Sequence, residues 1–399
     1  MSSGPIKKLI ILDEQFEKIE GHYYEYDKSV VEIFEGHGFE TIIYGHQNML
    51  TAFSDELNAQ PWFTINAKSK IRKIPVIGAI LYRTGFWEKY KKEIKAILAE
   101  NAGQNEKYLF FFPNVYWYNV LPIARALKDV NANAALLFRV SIYDTIGLPK
   151  KVLPVTMAII KYAEKILKNK PNVHYFSDSE VIANEWQAHF KSEMKVLPIP
   201  HLTLNKKGTK PAAGDKIRMY LPGGMRLEKG AQLLTEAFEV LAKQPELLDR
   251  IILVTQFLGN NSVLDEYKKR LAALPVENDF LKHLTTEEYN HQLTIADVIL
   301  IPYLVSEGYR ARTSGILAEA IASSKPFITT DGTWMSLQAR KYNTGLIIPD
   351  GQPAALAEAV ASMIGAYTNY SNKADAACNL WMIDQSKDVF YQQLSSALL

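Results

Sequence analysis

The stretch LPGGMRLEKGAQLL, residues 221–234, closes a short apolar run, turns on Gly223 and Gly224, and offers Arg226 and Lys229 before an amphipathic helix. Glycines reach backbone conformations closed to other residues and let a ligand approach the main chain. A helix starting near Lys229 or Gly230 would point its unpaired N–H groups and positive dipole end at that ligand. Arg226 would add a planar fork of donors and Lys229 a mobile point charge. Together they predict a phosphate or diphosphate cradle, in the order of neither a P-loop nor a dinucleotide fingerprint. The plain alternative is a glycine turn carrying two solvated cations. Cations at a helix start are mildly unfavourable, which counts against it.

A second constellation lies in residues 297–332, where an apolar run ends at Ile301-Pro302 and a polar loop leads to a helix. Arg312, Thr313, Ser314 and Gly315 stand at the helix entry, with backbone and hydroxyl donors suited to an oxyanion. Glu319, about one and a half turns in, could accept two hydrogen bonds from a vicinal diol such as a ribose. A helix cap followed by a solvated glutamate is the alternative. Nearer the N-terminus, Gly21 and His22 follow the first apolar run, and an imidazole there could meet a phosphate or simply serve the loop. Arg139, Tyr143 and Asp144 follow a later run and could reach an acceptor, although an aspartate there also suits a turn. Tyr116, Trp117 and Tyr118 could stack on a sugar. The spacing of His, Asp and Glu offers no metal site and no Ser-His-Asp arrangement.

Something must position these residues, and the apolar patterning says what. Runs over 7–12, 39–45, 107–112, 134–140 and 172–177, then 217–221, 250–256, 297–302, 326–330 and 345–349, alternate with helical patterns. That alternation predicts βαβ units and two open, doubly wound parallel-sheet α/β domains. With 399 residues the chain is too long for one ordinary core. Residues 198–216, rich in Pro, Gly and Lys, suit a linker. The expected division is an N-terminal domain over 1–200, a linker over 201–215 and a second domain over 216–379. A formal charge of +2 gives no basic footprint for nucleic acid. Cys378 is the only cysteine, which excludes an intrachain disulfide and a cysteine zinc site. Every apolar run falls short of the roughly 20 residues a membrane span needs, so a cytoplasmic protein is expected. Residues 67–98 mix lysines, arginines and aromatics. They could lie against an anionic bilayer, or form a helix with one buried face and lysines in water.

The order G-x-R-x-x-K-G, then strand-Pro-Tyr, then S-G-x-x-x-E-A-x-A-x-x-x-P-x-I resembles the donor domain of retaining GT-B glycosyltransferases of family 4. Gly21-His22 resembles their N-terminal glycine loop, residues 177–187 their last N-domain unit, and residues 380–399 the closing helix that packs back onto the N-terminal domain. The resemblance implies two Rossmann-like domains facing across a cleft. It implies transfer of a sugar from a nucleotide-diphosphate donor to a glycan, lipid-linked or small-molecule acceptor, with retention and without a metal or other cofactor. Arg226 and Lys229 would hold the diphosphate and stabilise the leaving group. Gly21, His22, Gly223, Gly224, Arg312, Thr313, Ser314 and Gly315 would line the donor site, and Glu319 would hold the ribose. The family commonly places a further glutamate eight positions before this one; here that position is Ala311, with Glu307 four residues earlier. The departure leaves room for a nucleotide-sugar binding protein that has lost transfer. A nucleotide-sugar epimerase on the same fold is a third reading.

Overall fold

The computed structural model describes residues 7–18, 22–65, 76–101, 107–143, 153–200, 215–258 and 261–398, with the side chains of residues 22, 76–84 and 307 left out. Two compact units emerge: residues 1–201 together with 385–399, and residues 202–384.

In the first unit, strands β1 (Lys7–Leu12), β2 (Phe39–His46), β3 (Ala59–Phe63), β4 (Lys107–Val115), β5 (Ala134–Phe138), β6 (Val173–Ser177) and β7 (Met194–Val196) form one sheet in the order β3-β2-β1-β4-β5-β6-β7. Every pairing in it is parallel. Helix α1 (His22–Glu35) packs on this sheet through Val30, Val31, Ile33 and Phe34, all buried. The C-terminal helix α15 (Lys387–Ser395) belongs to the same core through Phe390 and Leu394.

In the second unit, β8 (Ile217–Gly224), β9 (Ile251–Gln256), β10 (Glu277–Leu281), β11 (Val298–Ile301), β12 (Phe327–Thr330) and β13 (Leu346–Ile348) form a parallel sheet in the order β10-β9-β8-β11-β12-β13. Its core is the interior of β8, β9 and β11 closed by α7 (Ala231–Leu241) and α13 (Pro353–Gly365), with Leu234, Phe238, Val360 and Met363 at its centre.

Both sheets share one logic. Strands run outward from a central pair, β1/β4 in one unit and β8/β11 in the other, and the connections diverge to opposite sides of that pair. Such a switch point leaves a crevice at the carboxyl ends of the strands, where doubly wound sheets receive ligands. Two local expectations are corrected. The run 134–140 pairs only to Phe138, leaving Arg139 beyond the strand. The helix expected at Lys229 or Gly230 begins at Ala231, because residues Leu227–Lys229 first make a 3-10 turn.

Candidate functional site

At the carboxyl end of β8 the register slips between Tyr220 and Gly224, and the chain folds over its own strand end. Gly223 holds φ +74°, and a Cβ there would stand 2.9 Å from Lys229 Nζ. The backbone angle favours glycine, and a side chain there would also have to displace the ammonium group beside it. Lys229 Nζ lies 3.4 Å from the Pro222 carbonyl and 5.6 Å from the centre of the Tyr303 ring. Burial, helped by the charge of Arg226, lowers the Lys229 ammonium to about 8. A buried cation with one long hydrogen bond is poorly compensated, and an anionic ligand would compensate it.

Arg226 stands at the entry of the 3-10 turn and is more than half exposed, its Nε 3.1 Å from Glu228 Oε1. Gly230, at φ +86°, closes that turn and lies so tightly against Pro302 that any Cβ would collide with the Pro302 carbonyl oxygen. The Leu304 N–H donates to the Glu228 carbonyl at 3.1 Å. These two contacts join the β8 turn to the segment after β11, across the switch point.

That segment carries Tyr303, whose ring centre is 4.6 Å from that of Tyr309, while the Arg312 guanidinium lies 5.9 Å from the Tyr309 ring centre. Ser314 caps helix α11 (Gly315–Ala322), its hydroxyl accepting from the Leu317 N–H at 3.2 Å. Thr313 is half-buried, and the space above Gly315 is open for 4 Å. Glu319 faces inward and accepts a 2.7 Å hydrogen bond from Tyr289 of helix α10 (Thr286–Ile295). Burial raises the Glu319 carboxyl above the usual range, and the Tyr289 hydrogen bond opposes this. Thus Arg226, Lys229, Gly223, Gly224, Ser314, Gly315 and Glu319 all belong to the strand ends and helix entries beside β8 and β11. Ala311 is buried, so an ordinary carboxylate there would need a partner.

On the first unit the expected donor residue Gly21 lies outside the described residues, as do Asp144 and the His22 side chain. Arg139 does not stand open to a ligand: its Nε donates to Asp178 at 2.9 Å and its guanidinium lies 4.4 Å from the Tyr26 ring centre. Burial works most strongly against its charge, yet Asp178, Tyr26 and Tyr116 together hold the guanidinium above its ordinary value. Tyr143 is exposed.

The sequence reading passed over what sits between β1 and β4. Asp13 and Glu14, directly after β1, are fully buried. Asp13 accepts from the Gln15 N–H at 2.8 Å and from Asn114 at 2.9 Å; Glu14 accepts from Tyr90 at 3.0 Å and from Asn119 at 3.3 Å. Burial, then the charge of Asp13, raises Glu14 to about 7. Carboxylates directly after a first strand, answered by Asn114 and Asn119 after the central one, were the available signal. Also missed were Glu228 and Tyr289, and Tyr303 entered only as the tyrosine of the Pro-Tyr pair, without a role. Residues 76–100 form helix α3 (Val76–Glu100). Over its described side chains Phe86, Tyr90, Ile94 and Ile97 make a buried stripe with Lys89, Lys92 and Lys95 in water. No helix among the described residues is long and apolar enough to cross a membrane.

Two α/β units with these strand orders have the architecture of GT-B glycosyltransferases. Over residues 205–376 the chain matches the family model described as Glycosyl transferases group 1. Among solved structures it is similar to a glycosyltransferase from Rickettsia africae at 15% identity, TM-score 0.66, with 99% of each chain covered. It is also similar to HepE from Anabaena in complex with UDP at 12% identity, TM-score 0.64, covering 98% and 99%. Sucrose-phosphate synthase from Thermosynechococcus elongatus aligns at 15% identity, TM-score 0.59, covering 98% and 96%. No curated protein matches.

Proposed function

We propose that the chain is a glycosyltransferase that moves a sugar from a nucleotide-diphosphate donor to an acceptor, with retention of configuration and without a metal. The observation that carries this reading is the under-compensated Lys229 ammonium, held over a glycine turn at the switch point of the second sheet. Lys229 and Arg226 would bind the diphosphate and take up the charge that grows on it as the sugar leaves. The open approach above Gly315 and the N–H groups of α11 would face the same phosphates, and Glu319 would accept from the ribose hydroxyls. The group 1 match over 205–376 and the UDP complex of the Anabaena neighbour support a nucleotide-sugar donor. The acceptor would bind on the first unit, a glycan, lipid-linked or small molecule.

Within this reading the protein acts in the cytoplasm, with the lysine face of α3 against an anionic bilayer. Failure to co-sediment with phosphatidylglycerol vesicles would remove the membrane part alone. A second reading, a nucleotide-sugar binding protein without transfer, is favoured by Ala311 in place of an acidic residue. Thermal shifts with UDP, GDP and ADP and their sugar conjugates, with and without EDTA, test the main reading. A selective, EDTA-insensitive rise in melting temperature is expected, lost in Arg226→Ala. Absence of any shift would sink both readings. Donor consumption in the presence of acceptors separates transfer from binding alone.

A further inference from the structure

Tyr303 is a residue of the second unit that its surroundings do not explain. It follows Pro302 directly beyond β11, is 2% exposed, and its hydroxyl makes no hydrogen bond with any protein group. A buried hydroxyl without a partner costs free energy that a phenylalanine would avoid, because its hydrogen bonds to water are lost and not replaced. The side chain is also held fast. Pro302 is pressed against Gly230 on one side, and Leu304 is hydrogen-bonded to the Glu228 carbonyl on the other. The Tyr309 ring packs against it, and Lys229 Nζ lies 5.6 Å from the centre of its ring. The charges of Arg226 and Glu319 are both felt at the phenol, so it lies within electrostatic reach of the groups assigned to a diphosphate and to a ribose. Burial, then Tyr309, holds the phenol well above its usual ionisation range, so it remains a neutral O–H donor.

We propose that the Tyr303 hydroxyl is kept unsatisfied in the free protein as a dedicated donor to a phosphoryl oxygen of the bound nucleotide. The proposal rests on the reading of the second unit as a nucleotide-diphosphate site. A hydrogen bond to an anionic oxygen is about twice as strong as a neutral one, which is the gain that would justify leaving the group unpaired. Lys229 Nζ, 5.6 Å from the ring centre, places the phenol beside the cation assigned to the diphosphate.

The test is Tyr303→Phe, followed by ligand-free melting and by calorimetric titration with whichever of UDP, GDP or ADP binds the wild-type protein most tightly. Lys229→Ala is titrated in parallel. Expected are a ligand-free melting temperature equal to or above wild type, binding of the diphosphate weakened about tenfold, and binding of the corresponding nucleoside unchanged. A fall of several degrees in ligand-free melting would show that the hydroxyl serves the fold, and would overturn the proposal. Equal weakening for diphosphate and nucleoside would overturn the assignment to a phosphoryl oxygen. Diphosphate binding that survives Tyr303→Phe but is lost in Lys229→Ala would overturn it too, while leaving the proposed function standing. Binding indifferent to both substitutions, or absent in the wild type, would overturn both.

Discussion

Lys229 shows how one residue can be specified by its surroundings rather than by its type. Its ammonium is buried beside Arg226, a like charge, and both effects push its proton off; about 8 is the result. The charged form is therefore complete below neutrality and lost as the pH rises through about 8 in the free protein. A bound diphosphate reverses that balance by supplying the missing anion. It follows that kcat/KM, which reports the free enzyme, should fall above pH about 8, whereas kcat should hold to higher pH. Parallel profiles would show that Lys229 does not meet the donor. Lys229→Ala should cost about 3 kcal/mol of transition-state stabilisation, roughly a hundredfold in rate, by analogy with deleting one preorganised donor. Steady-state rates at pH 7 check this, and near-wild-type turnover would remove Lys229 from the mechanism. The cation and its glycine turn were legible in the sequence because they lie within eight residues. Glu228, Tyr289 and Tyr303 were not: a carboxylate beside two cations reads as surface charge. The two tyrosines stand some sixty to seventy-five residues beyond Lys229 in the chain, and tyrosines alone announce neither core nor site.

Elements place these side chains, and here the sequence was most informative where burial is complete. Strands covered on both faces are continuous apolar runs, and β1, β2, β4, β9 and β11 coincide with the runs read from composition. The strands that escaped are edge or terminal pieces: β3 is AQPWF with a proline, β7 has three residues, and β10 is ENDFL, half-exposed throughout except for the exposed Glu277. An edge strand needs no apolar run, since one side of it meets solvent or loop. The turn at Gly230 is the joint that brings α7 against the end of β11. Gly230→Ala should destabilise the protein by at least about 2 kcal/mol, because a strained backbone angle and a collision with the Pro302 carbonyl add together. Gly38→Ala is its control: φ is +77° there too, but the added methyl meets open space, so the backbone cost alone, about 1 kcal/mol, should appear. Urea unfolding of both variants checks the difference. Equal losses would mean that the Gly230–Pro302 approach relaxes freely.

At the scale of the whole molecule, the chain leaves the first unit near residue 201 and returns to it at residue 385. The returning segment helps complete the first unit's core. Phe390 and Leu394 are fully buried there, Tyr391 stacks on His37 with ring centres 3.6 Å apart, and Lys387 pairs with Glu32 at 3.2 Å. The core of the second unit is built without any of them. The stability of the first unit thus depends on residues distant in the chain from the rest of it, whereas that of the second depends on a continuous stretch and, under the proposed function, on its ligand. Phe390→Ala should remove about 3 to 5 kcal/mol from the first unit, a large share of a domain's marginal stability. Calorimetric unfolding should then resolve two transitions. The lower one should move down with Phe390→Ala, and the other should move up with a saturating nucleoside diphosphate through preferential binding to the folded state. A single transition displaced by both would show instead that the two cores unfold together, so that loss of the C-terminal helix also lowers the stability of the nucleotide site.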